Sequence, residues 1–199
     1  MYKPHPRRKL FNIDMFPMVN LLLIILLFCI SGYRPSTPYP IQINLPTGHY
    51  FNTADPESYI TTILIGQKKL MLRFDAADVR EETLKQMGGR HNTDFTPAEI
   101  TKFGETDIIG TPLVQIKKYI SSYYNAADYY NQPGLALDEL AEWIKESHKA
   151  TFEKHNRRSR IFIMADAETP YPVIKDVIAM LGQQKINKFS IIYSYLRPI

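Results

Sequence analysis

The sequence predicts an α+β protein with one N-terminal transmembrane helix, an extended linker, and a small mixed α/β domain ending in a β-α-β unit. Three observations predict it: an uncharged apolar run from Met15 to Tyr33, a cluster of prolines from Pro35 to Pro56, and alternating strand and helix periods from Tyr59 onward. The chain has 199 residues, 45% hydrophobic and 22% charged, with a mildly basic net charge of +4, which suits one ordinary domain plus extra segments. A single cysteine, Cys29, excludes an internal disulfide and any zinc site built from several thiolates. The expected divisions are 1–14, 15–33, 34–58 and 59–199.

Between Met15 and Tyr33 there is no charged residue, and Asn20 is the only strongly polar one before Ser31. As a helix this stretch rises about 28 Å, close to the thickness of a bilayer's hydrocarbon core. A helix buried in a soluble protein keeps a polar stripe, and this one has none. Lys3, Arg7, Arg8 and Lys9 precede it, whereas only Arg34 follows before Lys68, an asymmetry that sets the amino terminus in the cytoplasm and the rest across the membrane. The alternatives are a cleaved signal peptide, with Cys29 and Ser31 as the small residues before the cut, and lipid attachment at Cys29. The length of the apolar run, with Pro17 and Asn20 inside it, speaks against the first. The bulky Phe28 speaks against the second.

Residues 34–58 hold Pro35, Pro38, Pro40, Pro46 and Pro56, which forbid regular helix and favour an extended tether. Within them Ile41 to Leu45 alternates like a short strand that Pro46 would end, suited to a sheet edge or to addition to another chain's sheet, or else plain spacer. Ile60–Ile65 and Leu70–Phe74, split by Gly66 to Lys69, predict a β-hairpin. Val79 to Met87 is an expected helix ended by Gly88 and Gly89, and Asp94 to Asp107 shows no clear period. Thr111-Pro112 opens a helix whose apolar face is Leu113, Ile116, Tyr119, Ile120 and Tyr123. Tyr123-Tyr124 to Tyr129-Tyr130 falls at a helix end and loop. Leu137 to Phe152 keeps a helical period through Leu140, Trp143, Ile144 and Ser147. Ile161 to Ala165 is a strand, Tyr171 to Leu181 a helix stopped by Gly182, and Phe189 to Tyr195 a closing β run, so the last two strands are expected to be neighbours.

The chemistry of an enzyme is not legible. No glycine-rich phosphate loop, nucleophile elbow or HExxH spacing occurs, and no cofactor or metal is expected. His148 and His155, seven apart, lack a carboxylate cluster. Asp138, Glu139, Glu142 and Glu146 read as partners of Lys145 and Lys149 on an exposed helix face. Arg157, Arg158 and Arg160 read as a solvated loop, since no nucleic acid lies beyond the membrane; the partner implied by the span itself is membrane lipid. Asn20 stands out, because an amide in hydrocarbon is costly unless other helices or a wet cavity receive it. Asp14, about 9 Å earlier along the axis and rotated by roughly 240°, does not share its face. With Pro17, the two point to a span enclosed by protein.

Arg7-Arg8-Lys9 followed by Ile13-Asp14-Met15-Phe16-Pro17-Met18-Val19-Asn20 and the aliphatic run to Phe28 resembles the membrane segment of the ExbD/TolR family, which typically reads I-N-x-T-P-x-I-D. Ile161 to Asp166, Pro170-Tyr171, Val173-Ile174, Asp176-Val177, Leu181 and Lys188 to Ile192 resemble its closing β-α-β, and Ile43-Asn44-Leu45-Pro46 is similar to a short element after its span. The resemblance implies a non-enzymatic inner-membrane protein with a periplasmic domain, part of a motor driven by proton-motive force. In such a motor paired helices stand inside a ring of ExbB/TolQ-type subunits, and the outer domains dimerise and pass work to a TonB- or TolA-like protein. The family's proton-carrying Asp, three residues after the proline, is Asn20 here, and its Asn three before the proline is Asp14. An amide cannot titrate. The expectation is a proton-silent subunit paired with itself or with an Asp-bearing sibling, with Asp14 as the secondary candidate. The competing expectations are a membrane-anchored periplasmic binding or scaffolding protein without a motor, and an exported enzyme whose apolar start is removed.

Overall fold

The computed structural model describes residues 15–32, 39–48, 59–123 and 125–195. Asp14, the basic residues from Lys3 to Lys9, Tyr33, Tyr124 and the parts of the linker at 34–38 and 49–58 lie outside the described residues. The chain divides into two units, Met1–Pro38 and Tyr39–Ile199.

The described part of the first unit is one helix, α1 (Met15–Gly32). No helix among the described residues meets a strict length-and-hydropathy standard for crossing a membrane. Helix α1 nevertheless carries side chains of that kind, with Asn20 and Ser31 the only polar ones, and its 18 residues rise about 27 Å. Its large apolar side chains are 52% to 82% exposed. Leaving such a side chain in water forgoes roughly 1.5–3 kcal/mol relative to burying it, so this surface calls for cover.

In the second unit, Ile60 and Phe74 bound the expected hairpin. Strand β2 (Ile60–Gly66) runs antiparallel to β3 (Lys69–Phe74), with Gly66 opposite Lys69. The turn is Gln67-Lys68, both at positive φ (51° and 59°), the backbone of a two-residue hairpin turn whose twist matches the strands. Gly66, which the sequence places at the split, is instead the last paired residue of β2.

The helix expected over 79–87 is longer. Helix α2 (Ala77–Arg90) runs through Gly88 and Gly89. Gly88 is there for close approach, since a Cβ would stand 2.6 Å from the Thr93 carbonyl and 2.8 Å from the Phe95 ring. The stretch without clear period holds α3 (Pro97–Gly104) and the short strand β4 (Ile108–Ile109). Thr96 caps α3 reciprocally with Glu99, and this carboxylate, held by the Thr96 backbone N–H, has its pKa lowered. Leu113–Gln115 forms a 3-10 turn leading into α4 (Ile116–Ser122), with Leu113, Ile116, Tyr119 and Ile120 buried as expected. The tyrosine-rich stretch contains a one-turn helix, α5 (Ala126–Tyr130), rather than loop alone, because Asn125 caps it by accepting from the Ala127 N–H.

Helix α6 (Leu137–His155) outlasts its expected end at Phe152 and stops where Asn156 turns left-handed, at φ 52°. Strand β5 (Arg160–Ala165), helix α7 (Tyr171–Gln183) and strand β6 (Phe189–Ile192) form the β-α-β unit, with β5 and β6 parallel neighbours. Gly182 lies inside α7; the helix is terminated by Lys185 at φ 61°, while the Ile186 N–H reaches back to the Leu181 carbonyl.

The five strands order as β4-β3-β2-β5-β6, with β2 and β5 parallel, a mixed sheet consistent with the expected fold class. One face, carrying Ile63, Ile65, Leu72, Phe74, Ile161 and Ile163, packs with Leu84 and Met87 of α2, Leu140, Trp143 and Ile144 of α6, and Val177 and Leu181 of α7. Arg80 of α2 is buried at the end of β3. Its guanidinium donates to the carbonyls of Phe74 and Gly104 and lies 3.9 Å from Asp107, while burial lowers its pKa. Gln132 ties the other end together. Its side chain accepts from the Gly110 N–H and donates to the buried Tyr119 hydroxyl, which in turn donates to the Ile108 carbonyl. The opposite face of the sheet carries Leu64, Met71 and Ile108.

Candidate functional site

The opposite face is covered by the linker itself. Residues 39–48 do not hang free. Ile41, only 1% exposed, packs with Leu64, Met71 and Ile108, and Tyr39, Ile43 and Met164 extend the same cluster. Ile41 and Ile43 face inward as the alternation expects, but the strand expected at Ile41–Leu45 does not form. The only strand of this segment among the described residues, β1 (Thr47–Gly48), starts where Pro46 is expected to end one, and it pairs in parallel with β7 (Ser194–Tyr195). The reason is local. Pro46 has no N–H to give to a ladder, yet its carbonyl accepts from the Ser194 N–H at 2.8 Å. Asn44 likewise uses its backbone, its carbonyl accepting from the Ala167 N–H at 2.8 Å.

Residues 39–48 therefore form a strap. It is pinned at one end by the Arg73 guanidinium, which donates to the Tyr39 hydroxyl at 3.1 Å and sits 5.9 Å from that ring's centre, and at the other by β7. Gly66 permits the strap's close passage, since a Cβ there would lie 3.3 Å from both the Gln42 carbonyl and Ile43. The motif Ile43-Asn44-Leu45-Pro46 occupies its second half.

On α1, Pro17 is the third residue of the described helix. Asn20 follows in the next turn with its side chain exposed. Asp14 lies outside the described residues.

Helix α6 departs from its sequence reading. Its carboxylates do not pair mainly along their own helix. Glu142 lies 2.8 Å from His91 and 3.7 Å from Arg90, Glu146 lies 2.9 Å from Arg90, and Glu139 accepts from the Leu113 N–H. They stitch α6 to α2 and to the 3-10 turn ahead of α4, because a helix that packs alongside supplies closer partners than the next turn does. His155 and His148 are not brought together. His155 stacks on Tyr59 at 4.0 Å with its ring 2.6 Å from Asp78, whereas His148 faces a cleft.

That cleft is not foreseen in the sequence. It has a volume of about 1250 Å³ and lies between α6, the start of β5 and the turn joining α7 to β6. Arg158 and Arg160, expected in a solvated loop, form part of its wall, so the run Arg157-Arg158-Ser159-Arg160 is the signal that could have found it. Burial, assisted by Arg158, lowers the pKa of His148 and keeps its imidazole neutral.

No curated protein and no solved structure matches the chain. The family model for the biopolymer transport protein ExbD/TolR matches residues 6–195, which include helix α1, the strap and the whole mixed sheet. The chain belongs to the ExbD/TolR family of biopolymer transport proteins.

Proposed function

We propose that the chain is a non-catalytic stator subunit of an inner-membrane motor that uses the proton-motive force to energise TonB-dependent or Tol-type transport at the outer membrane. The observation that carries the reading is helix α1, apolar all round except for Asn20 in its second turn and Ser31 at its end, in a chain whose family match begins ahead of that helix. In this reading α1 spans the membrane with its amino terminus cytoplasmic, and the domain from Tyr39 stands in the periplasm. An ExbB/TolQ-like ring surrounds the helix, a second copy or an Asp-bearing sibling stands beside it, and a TonB/TolA-like protein receives the work.

Asn20 cannot bind or release a proton near neutral pH, so proton transfer belongs to the sibling's carboxylate. The amide's part is to hydrogen-bond to ring helices, an interaction worth about 0.6 kcal/mol on average in membrane proteins and up to ~2 kcal/mol. The strap then carries displacement of α1 to the sheet, because Tyr39 to Gly48 follow the helix along the chain and end on β7.

Energised outer-membrane uptake, measured in cells carrying single variants, tests the assignment. Asn20→Leu should weaken uptake and reduce the amount of ring protein recovered with the chain in detergent, and Asp14→Asn should leave both near wild type. Loss of uptake with Asp14→Asn, together with no effect of Asn20→Leu, would refute the proton-silent role. Recovery of no multi-span protein with the wild-type chain would favour a membrane-anchored scaffold.

A further inference from the structure

The cleft beside His148 is unlike the rest of the domain surface in its charge. Among the described residues that line it are six cationic side chains, Lys145, Lys149, Arg158, Arg160, Lys185 and Lys188, and no carboxylate. Lys149 has a partial partner in Glu153 at 3.8 Å, on the exposed side of α6. Like charges gathered around one concavity repel one another, and a low-dielectric wall focuses their field into the cleft. The carboxyl end of α7 adds little opposing charge, because its last carbonyls already accept from the N–H groups of Gln184, Lys185 and Ile186.

Some polar atoms of the lining residues are shut off from solvent and lack partners among the described residues. Ser159, between the two arginines, is 7% exposed, and its Oγ has no hydrogen-bond partner among the described residues. The His148 Nε2 is likewise buried and unpartnered. The Gln184 Oε1, on a third lining residue, is in the same state, so three unsatisfied buried polar atoms belong to residues of this one cleft. The lining is apolar in part, with Phe152, Ile161, Ile186 and Phe189. The volume exceeds what a drug-sized ligand fills.

We propose that this cleft binds a phosphate-ester anion, with Arg158, Arg160 and Lys188 meeting the phosphate, and Phe152 and Phe189 receiving an apolar portion of the ligand. Arginine suits this task because its planar guanidinium offers paired N–H donors to two phosphate oxygens. The same chemistry is presented by an anionic phospholipid headgroup and by a soluble phosphate. The site shares no residue with Asn20 or the strap motif, and it stands or falls independently of the motor reading.

The test uses the full chain in nanodiscs. Phenyl phosphate, a soluble phosphate monoester, is titrated onto chain held in phosphatidylcholine discs, and in a parallel arm the phosphatidylcholine is replaced in part by phosphatidylglycerol. Amide hydrogen exchange at residues 158–160 and 185–190 is read in both arms. Protection in the phosphatidylglycerol discs alone identifies a lipid headgroup, and protection by phenyl phosphate identifies a soluble phosphate ester. Arg158 and Lys188 are exposed, so the double variant Arg158→Gln/Lys188→Gln should fold, and it should lose at least about tenfold in affinity. Lys154→Gln, whose lysine pairs with Glu82 outside the cleft, should stay within about twofold. Protection in neither arm, or an equal loss in Lys154→Gln and the double variant, would overturn the proposal.

Discussion

His148 shows how a single side chain reports its surroundings. Burial is the main cause of its lowered pKa and the Arg158 charge the lesser one, so the folded state resists protonating it. Its folded pKa lies below the ordinary value of 6.5, so as pH falls through 6.5 the unfolded chain takes up the proton first and stability is lost. His148→Gln should therefore lose less thermal stability than wild type between about pH 7.5 and 5.5. Melting temperatures of the full chain across that range check it, and an identical loss in both proteins would contradict the cause assigned. At this scale the sequence was most informative in the apolar amino-terminal segment, where one amide in an aliphatic run needs no tertiary context to stand out. It was least informative at Ser159 and His148, whose significance lies in missing partners that only the folded chain reveals.

At the scale of elements, the hairpin, α6 and the closing β-α-β were legible because strict periods of two and 3.6 persist over whole segments. Helix α3 was not, although Thr96-Pro97-Ala98-Glu99 is a capping box with proline at the first turn; eight residues are too few for a period to emerge. The glycines misled in the same direction three times. Gly66, Gly88 and Gly182 lie inside elements, two of them because another segment passes close, while left-handed Gln67, Lys68, Asn156 and Lys185 make the turns and stops.

The strap was only half visible. Its prolines announced extended chain, but nothing local in the sequence says which surface an extended chain will lie on. Gly66→Val tests the docking. Valine suits a strand, so the hairpin should persist, while the added methyls displace Gln42 and Ile43. Exchange of the Ala167 amide, held by the Asn44 carbonyl, should then rise by at least about tenfold, with a stability loss of ~1–3 kcal/mol. Unchanged exchange at Ala167 would show that the strap does not depend on that close passage.

At the scale of the whole molecule, two surfaces are written for different surroundings. The mixed sheet is covered on both faces, by helices on one and by the strap on the other, so β2 is buried along nearly its entire length. Helix α1 leaves its large apolar side chains exposed, and they need cover from lipid or from other proteins. On the motor reading that cover is lipid on part of the circumference and protein around Asn20. A photo-reactive amino acid placed at position 20 of the full chain, irradiated in native membranes and read by mass spectrometry, measures this most directly. Adducts to helices of a multi-span membrane protein are expected, with far fewer when the same probe replaces Phe28. Adducts to lipid alone at position 20, or recovery of mature chain outside the membrane without its apolar segment, would contradict the motor reading.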